Sequence, residues 1–359
     1  MAKQTIIPFG PQHPVLPEPI HLDLVLEDET VVQAIPSIGF VHRGLEKLVE
    51  KKEYTELMYV TERICGICAF GHNWGYCHAV ELLMKVEVPE RAEYLRTLWH
   101  ELSRVHSHLL WLGLLADAFG FESLFQHCWR LRESVLDLFE KTTGGRVIFS
   151  VNKIGGVHRD ISPEVLAEIA TVITGMKKEV SELINVFVND ASVKNRLVGV
   201  GVVTKEEAED LCAVGPTARG SGVRTDIRLT GNGVYDKLDF EPCIETAGDC
   251  YARTMVRCRE TIQSMDMVIK ICEIIPEGEI SVPVKGKPEG EFMARLEQPR
   301  GEAFYYVKGN GTKNLERMRI RTPTNINIPF LCKSLEGCEL ADVPVNVICI
   351  DPCISCTER

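Results

Sequence analysis

The sequence predicts an α+β protein, a central buried helical bundle with an N-terminal β-hairpin and a C-terminal strand-rich segment. Three observations carry this. Residues 1–53 alternate apolar and polar side chains in short runs. Residues 54–276 repeat apolar side chains every three or four positions. Residues 277–359 return to strand-like pieces punctuated by Pro and Gly. No internal repeat, low-complexity stretch or polar linker separates the segments, so one layered body is expected.

In chain order, Leu22, Leu24 and Leu26 alternate with polar neighbours, and Glu27-Asp28-Glu29-Thr30 turns into a second β-branched run, which reads as a hairpin over 21–35. Leu95, Leu98, Leu102, Val105, Leu109 and Leu112 follow at helical spacing, and beyond Leu109 the segment is apolar on nearly every face, as in a helix buried within a bundle. Ser162-Pro163 is a capping hydroxyl followed by Pro in the first turn, and Leu166, Ile169, Ile173, Met176, Val180, Leu183 and Phe187 continue one face. Thr204 and Glu207 have the spacing of a capping box. A last long helix is expected over 249–275, ended by Pro276 and Gly278, and 303–307 and 345–350 read as strands.

Composition narrows the function classes. The 51 acidic residues against 40 basic ones leave a net charge of −11, which argues against nucleic acid as a partner, since phosphate affinity comes from clustered Lys and Arg. Apolar and charged contents of 45% and 25% exclude disordered, collagen-like and coiled-coil classes. No apolar run approaches the roughly 20 residues that cross a bilayer, and Met1–Gly10 lacks the pattern of a secretory leader. Fourteen cysteines in such a chain point to a reducing cytoplasm, where thiolates serve metals or catalysis.

Cys65-Gly66-Ile67-Cys68 and Cys353-Ile354-Ser355-Cys356 stand near opposite ends of the chain. Each pair can present two sulfurs to one ion, and both together make a four-sulfur site. Three chemistries fit: structural zinc, an iron-sulfur cluster, or redox-active nickel. Zinc ribbons usually close over tens of residues and cluster cysteines come in compact runs, whereas these pairs span almost the whole chain.

Arg63-Ile64-Cys65-Gly66-Ile67-Cys68 with His72, and Asp351-Pro352-Cys353-Ile354-Ser355-Cys356, resemble the two metal signatures of nickel-iron hydrogenase large subunits. Gly10-Pro11-Gln12-His13-Pro14, His42 through Lys47, Glu101 through Arg104, Ser107 through Trp111, Gly155-Gly156-Val157 and Arg219 through Gly222 also resemble the quinone-site subunit of respiratory complex I, which has lost the cysteines. The combination, over essentially the full length, is similar to the energy-converting, Ech-type membrane-bound hydrogenases.

That resemblance implies a fold, a cofactor and roles. Cys65 and Cys353 would be terminal nickel ligands, and Cys68 and Cys356 would bridge nickel to an iron carrying carbon monoxide and cyanide. The thiolate of Cys353 would take the proton when hydrogen is split. Glu18 falls where the family carries a proton-gate glutamate, although the surrounding motif differs. Arg300, in Gln298-Pro299-Arg300-Gly301, matches an arginine over the open metal position that bonds a cyanide. Pro323-Thr324 resembles the segment holding the other cyanide, and His72 a group beside a bridging thiolate. Glu46 matches a glutamate that binds magnesium or iron near the C-terminus in many hydrogenases, but the histidine that completes such sites is here Arg359, which cannot ligate, so pairing of Glu46 with an arginine is the alternative. The other cysteines, Cys212 among them, read as small buried apolar residues. An end at Arg359 is that of a chain matured by a protease or encoded without an extension. The implied partners are an iron-sulfur small subunit, ferredoxin-type electron-transfer subunits and integral membrane subunits that move ions, with the chain peripheral on the cytoplasmic side of the membrane. The hydrogenase component of a formate- or carbon-monoxide-linked complex, and a quinone-site scaffold whose cysteines hold zinc or nothing, are the alternatives.

Overall fold

In the computed structural model, residues 4–359 are described; Met1–Lys3, and with them part of the Met1–Gly10 reading, lie outside the described residues. The expected hairpin is present as β2 (His21–Glu27) and β3 (Thr30–Ser37), and a further strand, β1 (Gln4–Phe9), pairs antiparallel with β2 to give the order β1-β2-β3. As an edge strand, β1 tolerates Pro8, which has no N–H for a ladder. Asp28 makes the tight turn in the left-handed region at φ 56°, which Asp adopts more readily than most residues. Leu22, Leu24 and Leu26 point to the buried face, in one cluster with Phe330, Leu331, Leu335 and Val347 from the last forty residues and with Val203, Ala208 and Ala218 from the helical segment.

The middle of the chain is helical: α1 (Leu57–Glu62), α2 (Ala69–Met84), α3 (Glu90–Ala118), α4 (Glu122–Thr143), then a two-residue hairpin β4 (Asn152–Lys153) and β5 (Gly156–Val157), followed by α5 (Pro163–Asn189), α6 (Ala191–Leu197), α7 (Lys205–Asp210), α8 (Gly215–Arg219) and α9 (Cys250–Ile274). The caps at Ser162 and Thr204 are those the sequence predicts. Ser162 accepts from the Val165 N–H, Thr204 and Glu207 form a reciprocal capping box, and Asp249 caps α9 through Ala252. α3 is buried almost throughout, packed against α4 and α9.

A meander β6 (Glu289–Gln298), β7 (Gly301–Asn310) and β8 (Leu315–Arg321) lies against α2, and the chain ends in α10 (Pro323–Leu335), α11 (Val343–Cys349) and α12 (Ile354–Glu358). The stretch 345–350 is thus a helix and not the strand its β-branched content predicts. It is buried on every side, so its apolar run has no period that could distinguish the two states, and Pro344 starts it as a first-turn residue.

Buried charge runs through the bundle. Glu101 and Arg104 on α3, Arg219 on α8, Asp226, Arg228, Glu260 on α9 and Glu297 on β6 form one network: Arg219 lies 2.8 Å from Glu260 and from Glu297 and 3.1 Å from Asp226, and Arg228 lies 2.8 Å from Asp226. No described helix is long and apolar enough to cross a membrane.

Candidate metal centre

The first cysteine pair sits between α1 and α2. Cys68 occupies the N-cap of α2, and the Ile67 N–H donates to the Cys65 sulfur at 3.2 Å. At the other end of the chain Asp351 turns the backbone in the left-handed region at φ 56°, Pro352 follows, and Cys353 caps α12, which carries Cys356. Arg43 ties the two segments together, donating to the carbonyls of Arg63 at 2.9 Å and Ile64 at 2.6 Å and to that of Ser355 at 3.2 Å. The Glu358 carboxylate accepts from the Gly39 and Val41 N–H groups, which holds the last helix against the segment after β3.

The four sulfurs converge. Cys353 lies 3.3 Å from Cys65 and Cys356 lies 3.4 Å from Cys68, and the sulfurs of Cys65, Cys68 and Cys356 are all within 4.8 Å of one another. These distances exceed a disulfide bond of about 2.05 Å and suit sulfurs sharing an ion. All four are buried. Without a cation they cannot all ionise: contacts with Cys353, Cys356 and Cys65 hold Cys68 well below the usual thiol range, while burial and the neighbouring sulfurs push Cys356 up. Cys353 is likewise pushed up, because Cys65, Cys68 and burial outweigh its favourable contact with Cys356. A soft metal ion satisfies all four as thiolates.

The other residues implied for the site gather around this centre. Arg300, at the β6–β7 corner, is buried and donates through Nε to the Asp351 carbonyl at 2.9 Å, while its Nη2 meets the Asp351 carboxylate at 2.7 Å. Its Nη1 is a buried donor with no partner among the described residues. Its corner touches α8 so closely that a Cβ on Gly215 would lie 2.3 Å from the Arg300 carbonyl oxygen. Thr324 accepts the Cys353 N–H at 3.1 Å, with Pro323 opening α10 beside it. His72 Nε2 is 3.3 Å from the Cys356 sulfur. Glu18, half-buried, accepts from the N–H groups of Ile354 and Ser355 and from the Ser355 hydroxyl. It stands between an open cleft shared with His13 and an inner, mostly apolar cavity of about 190 Å³ lined by Ile67, Trp111, Trp129, Arg300 and Asp351.

Glu46 is placed elsewhere. Its carboxylate accepts from Arg359 Nε at 3.0 Å, Arg319 at 2.7 Å and the Ile320 N–H at 2.9 Å, so cations of the chain take the positions a metal ion would need. Cys212 is exposed and corrects its reading as a buried apolar residue: it lies in the turn after α7 at φ 53°.

Comparison with known proteins agrees with this architecture. The family described as nickel-dependent hydrogenase matches residues 43–117, and the respiratory-chain NADH dehydrogenase 49 Kd subunit family matches residues 118–286 and 283–359. The chain belongs to this joint hydrogenase and 49 kDa subunit family. Among its members, membrane-bound hydrogenase subunit alpha of Pyrococcus furiosus is 39% identical over 98% of this chain and 87% of its own length. The carbon monoxide-induced hydrogenase of Rhodospirillum rubrum is 37% identical, over 98% of this chain and 99% of that protein. A chain from the solved membrane-bound sulfane sulfur reductase, an archaeal respiratory membrane complex, superposes with a TM-score of 0.94 at 31% identity, covering 99% of this chain and 98% of that one.

Within this family fold, the sequence reading overlooked Thr322, which donates to the Cys356 carbonyl at 3.0 Å, and Gln298 and Tyr305 behind His72. It also gave no role to Asp351, although that residue stands inside the second signature. A carboxylate two residues before a buried cysteine was the available signal for its arginine partner; the others carried none.

Proposed function

We propose that this chain is the catalytic large subunit of an energy-converting nickel-iron hydrogenase, which reversibly reduces protons to hydrogen. The observation that carries this is the convergence of four buried sulfurs from both ends of the chain, with no cysteine of either pair diverted.

In this reading Cys65 and Cys353 would hold nickel, and Cys68 and Cys356 would hold nickel and iron. The centre, when bound with its carbon monoxide and cyanide ligands, supplies the two-electron chemistry of hydrogen. The unpartnered Nη1 of Arg300 is a donor of the kind a cyanide nitrogen accepts, and the Asp351 pair keeps the guanidinium aimed. Thr324 still has a hydroxyl proton to donate, because it accepts at its oxygen from Cys353. Cys353 takes up the proton at its sulfur, and Glu18, bonded to the two backbone N–H groups that follow Cys353, passes it to the outer cleft. The apolar part of the inner cavity, walled by Ile67, Leu110, Trp111 and Trp129, suits the passage of hydrogen.

Electrons reach the centre from ferredoxin-type subunits through an iron-sulfur small subunit, and leave by the same route when hydrogen is oxidised. Integral membrane subunits couple the reaction to ion movement and hold this chain peripherally at the cytoplasmic face. A formate- or carbon-monoxide-linked complex differs only in the electron donor, which is read by assaying hydrogen evolution with reduced ferredoxin, formate or carbon monoxide. The test of the centre is infrared spectroscopy of the anaerobically purified complex, with nickel and iron quantified on the same sample. Sharp carbon monoxide and cyanide bands with one nickel per chain are expected. Absence of both would overturn the reading in favour of a quinone-site scaffold.

A further inference from the structure

The hydrogen bonds behind His72 form a directional chain that ends on a cysteine sulfur. Tyr305, in the middle of β7, is fully buried, and its oxygen has three polar neighbours: Gln298 Nε2 at 2.7 Å, His72 Nδ1 at 3.0 Å and the Gly71 carbonyl at 3.3 Å. The amide nitrogen can only donate, so the phenol oxygen accepts from Gln298. The single phenol proton then has two acceptors to choose from. Gly71 lies inside α2, where its carbonyl already serves the helix, and it is the farther of the two. Directed to His72 Nδ1, the proton makes the shorter of the two bonds. A neutral imidazole that accepts at Nδ1 carries its own proton on Nε2, and Nε2 faces the Cys356 sulfur at 3.3 Å.

The fold makes room for this arrangement. A Cβ on Gly75 would lie 2.1 Å from the Tyr305 ring, and one on Gly71 would lie 3.2 Å from Gln298 Cγ. Two glycines one helical turn apart on α2 thus open the groove in which Tyr305 and Gln298 lie against His72. The residues themselves are 0% exposed at His72 and Tyr305 and 1% at Gln298, so water does not compete for these bonds.

We infer that Tyr305, oriented by Gln298, is a positioning residue that fixes the tautomer of His72 and so delivers an N–H donor to the Cys356 sulfur. This rests on the reading of Cys356 as a ligand shared by nickel and iron. A hydrogen bond to a bridging thiolate withdraws charge from the metals, and a group that orients the donor tunes them without touching them.

The experiment is infrared spectroscopy with metal quantification on the assembled complex carrying Tyr305→Phe, which keeps the ring and loses the hydroxyl. A second variant, Gln298→Glu, keeps the volume and replaces the donor to Tyr305 by an acceptor, which draws the phenol proton away from His72. His72→Asn is the reference for loss of the donor. In both test variants nickel stays at the wild-type amount per chain, while the carbon monoxide band moves to lower wavenumber in the direction that His72→Asn moves it, because the thiolate regains charge. Bands unmoved in both, or moved only in His72→Asn, overturn the inference, as does loss of nickel in both, which would mark a structural role alone. Absence of the bands from the wild-type complex is a different failure, that of the hydrogenase reading itself.

Discussion

The sulfur of Cys353 lies 3.3 Å from that of Cys65, a residue 288 positions earlier in the chain. Neither cysteine touches the other through local structure, so the pair exists only when the two ends of the chain are docked. Removing either one leaves three sulfurs. Cys65→Ser and Cys353→Ser are each expected to drop nickel from one per chain to background, since a hydroxyl does not ionise to replace a thiolate. Elemental analysis of the purified complex checks this, and stoichiometric nickel in either variant would place the metal elsewhere.

Glu18 is bonded to the backbone immediately after Cys353 and borders both the inner cavity and the outer cleft. Glu18→Gln preserves the shape and removes the proton-carrying carboxylate. Proton-deuterium exchange under hydrogen is expected to fall by at least about 100-fold, the lower end of what a positioned acid-base group contributes, with nickel content unchanged. Exchange at the wild-type rate would remove Glu18 from the proton path.

Arg300 and Asp351 are both buried, 2.7 Å apart, and each is the other's charge partner. Arg300→Met removes the ion-pair partner of a buried carboxylate and is expected to cost about 3–5 kcal/mol. Adding Asp351→Leu should recover much of that, because the stranded charge is then gone. Denaturant unfolding of the two single variants and the double variant measures the coupling; additive losses would contradict it.

The buried network sets a pH dependence. It joins four carboxylates, those of Glu101, Asp226, Glu260 and Glu297, to three guanidiniums, those of Arg104, Arg219 and Arg228. Burial and the nearby Asp226 outweigh Arg219 and Arg228 at Glu297, whose carboxyl is raised from 4.5 to about 7. A raised acid favours the fold fully while it is protonated in both states. Its contribution is then lost as pH rises from the unfolded value through the folded one, and levels off above that. Wild-type unfolding free energy is expected to decline over that interval relative to Glu297→Gln, which has no proton to lose. Parallel pH profiles for the two proteins would refute the assignment.

Much of the fold was legible because helices and strands write their period into neighbouring residues. The caps at Ser162 and Thr204, the alternation in β2 and the long apolar face of α5 are all local, and each stands where the pattern puts it. The stretch 345–350 was illegible for the opposite reason: burial on all sides erases the period. β1 was missed because a short edge strand containing Pro8 has little pattern of its own and depends on β2 for its ladder.

The centre divides in the same way. Two cysteine pairs, their spacing and the motifs around them are properties of the sequence, and they determined the candidate ligands, the soft-metal chemistry and the resemblance that named the family. Which charges and donors surround those ligands was decided only by the tertiary structure. Asp351 beneath Arg300, the Tyr305 and Gln298 chain behind His72, and the closing of Glu46 on Arg319 and Arg359 each join residues from separate elements. The reason is one of range: spacing along a chain constrains atoms within a turn or two, whereas contacts across tens to hundreds of residues are selected by how helices, strands and glycine clefts pack into a single buried volume.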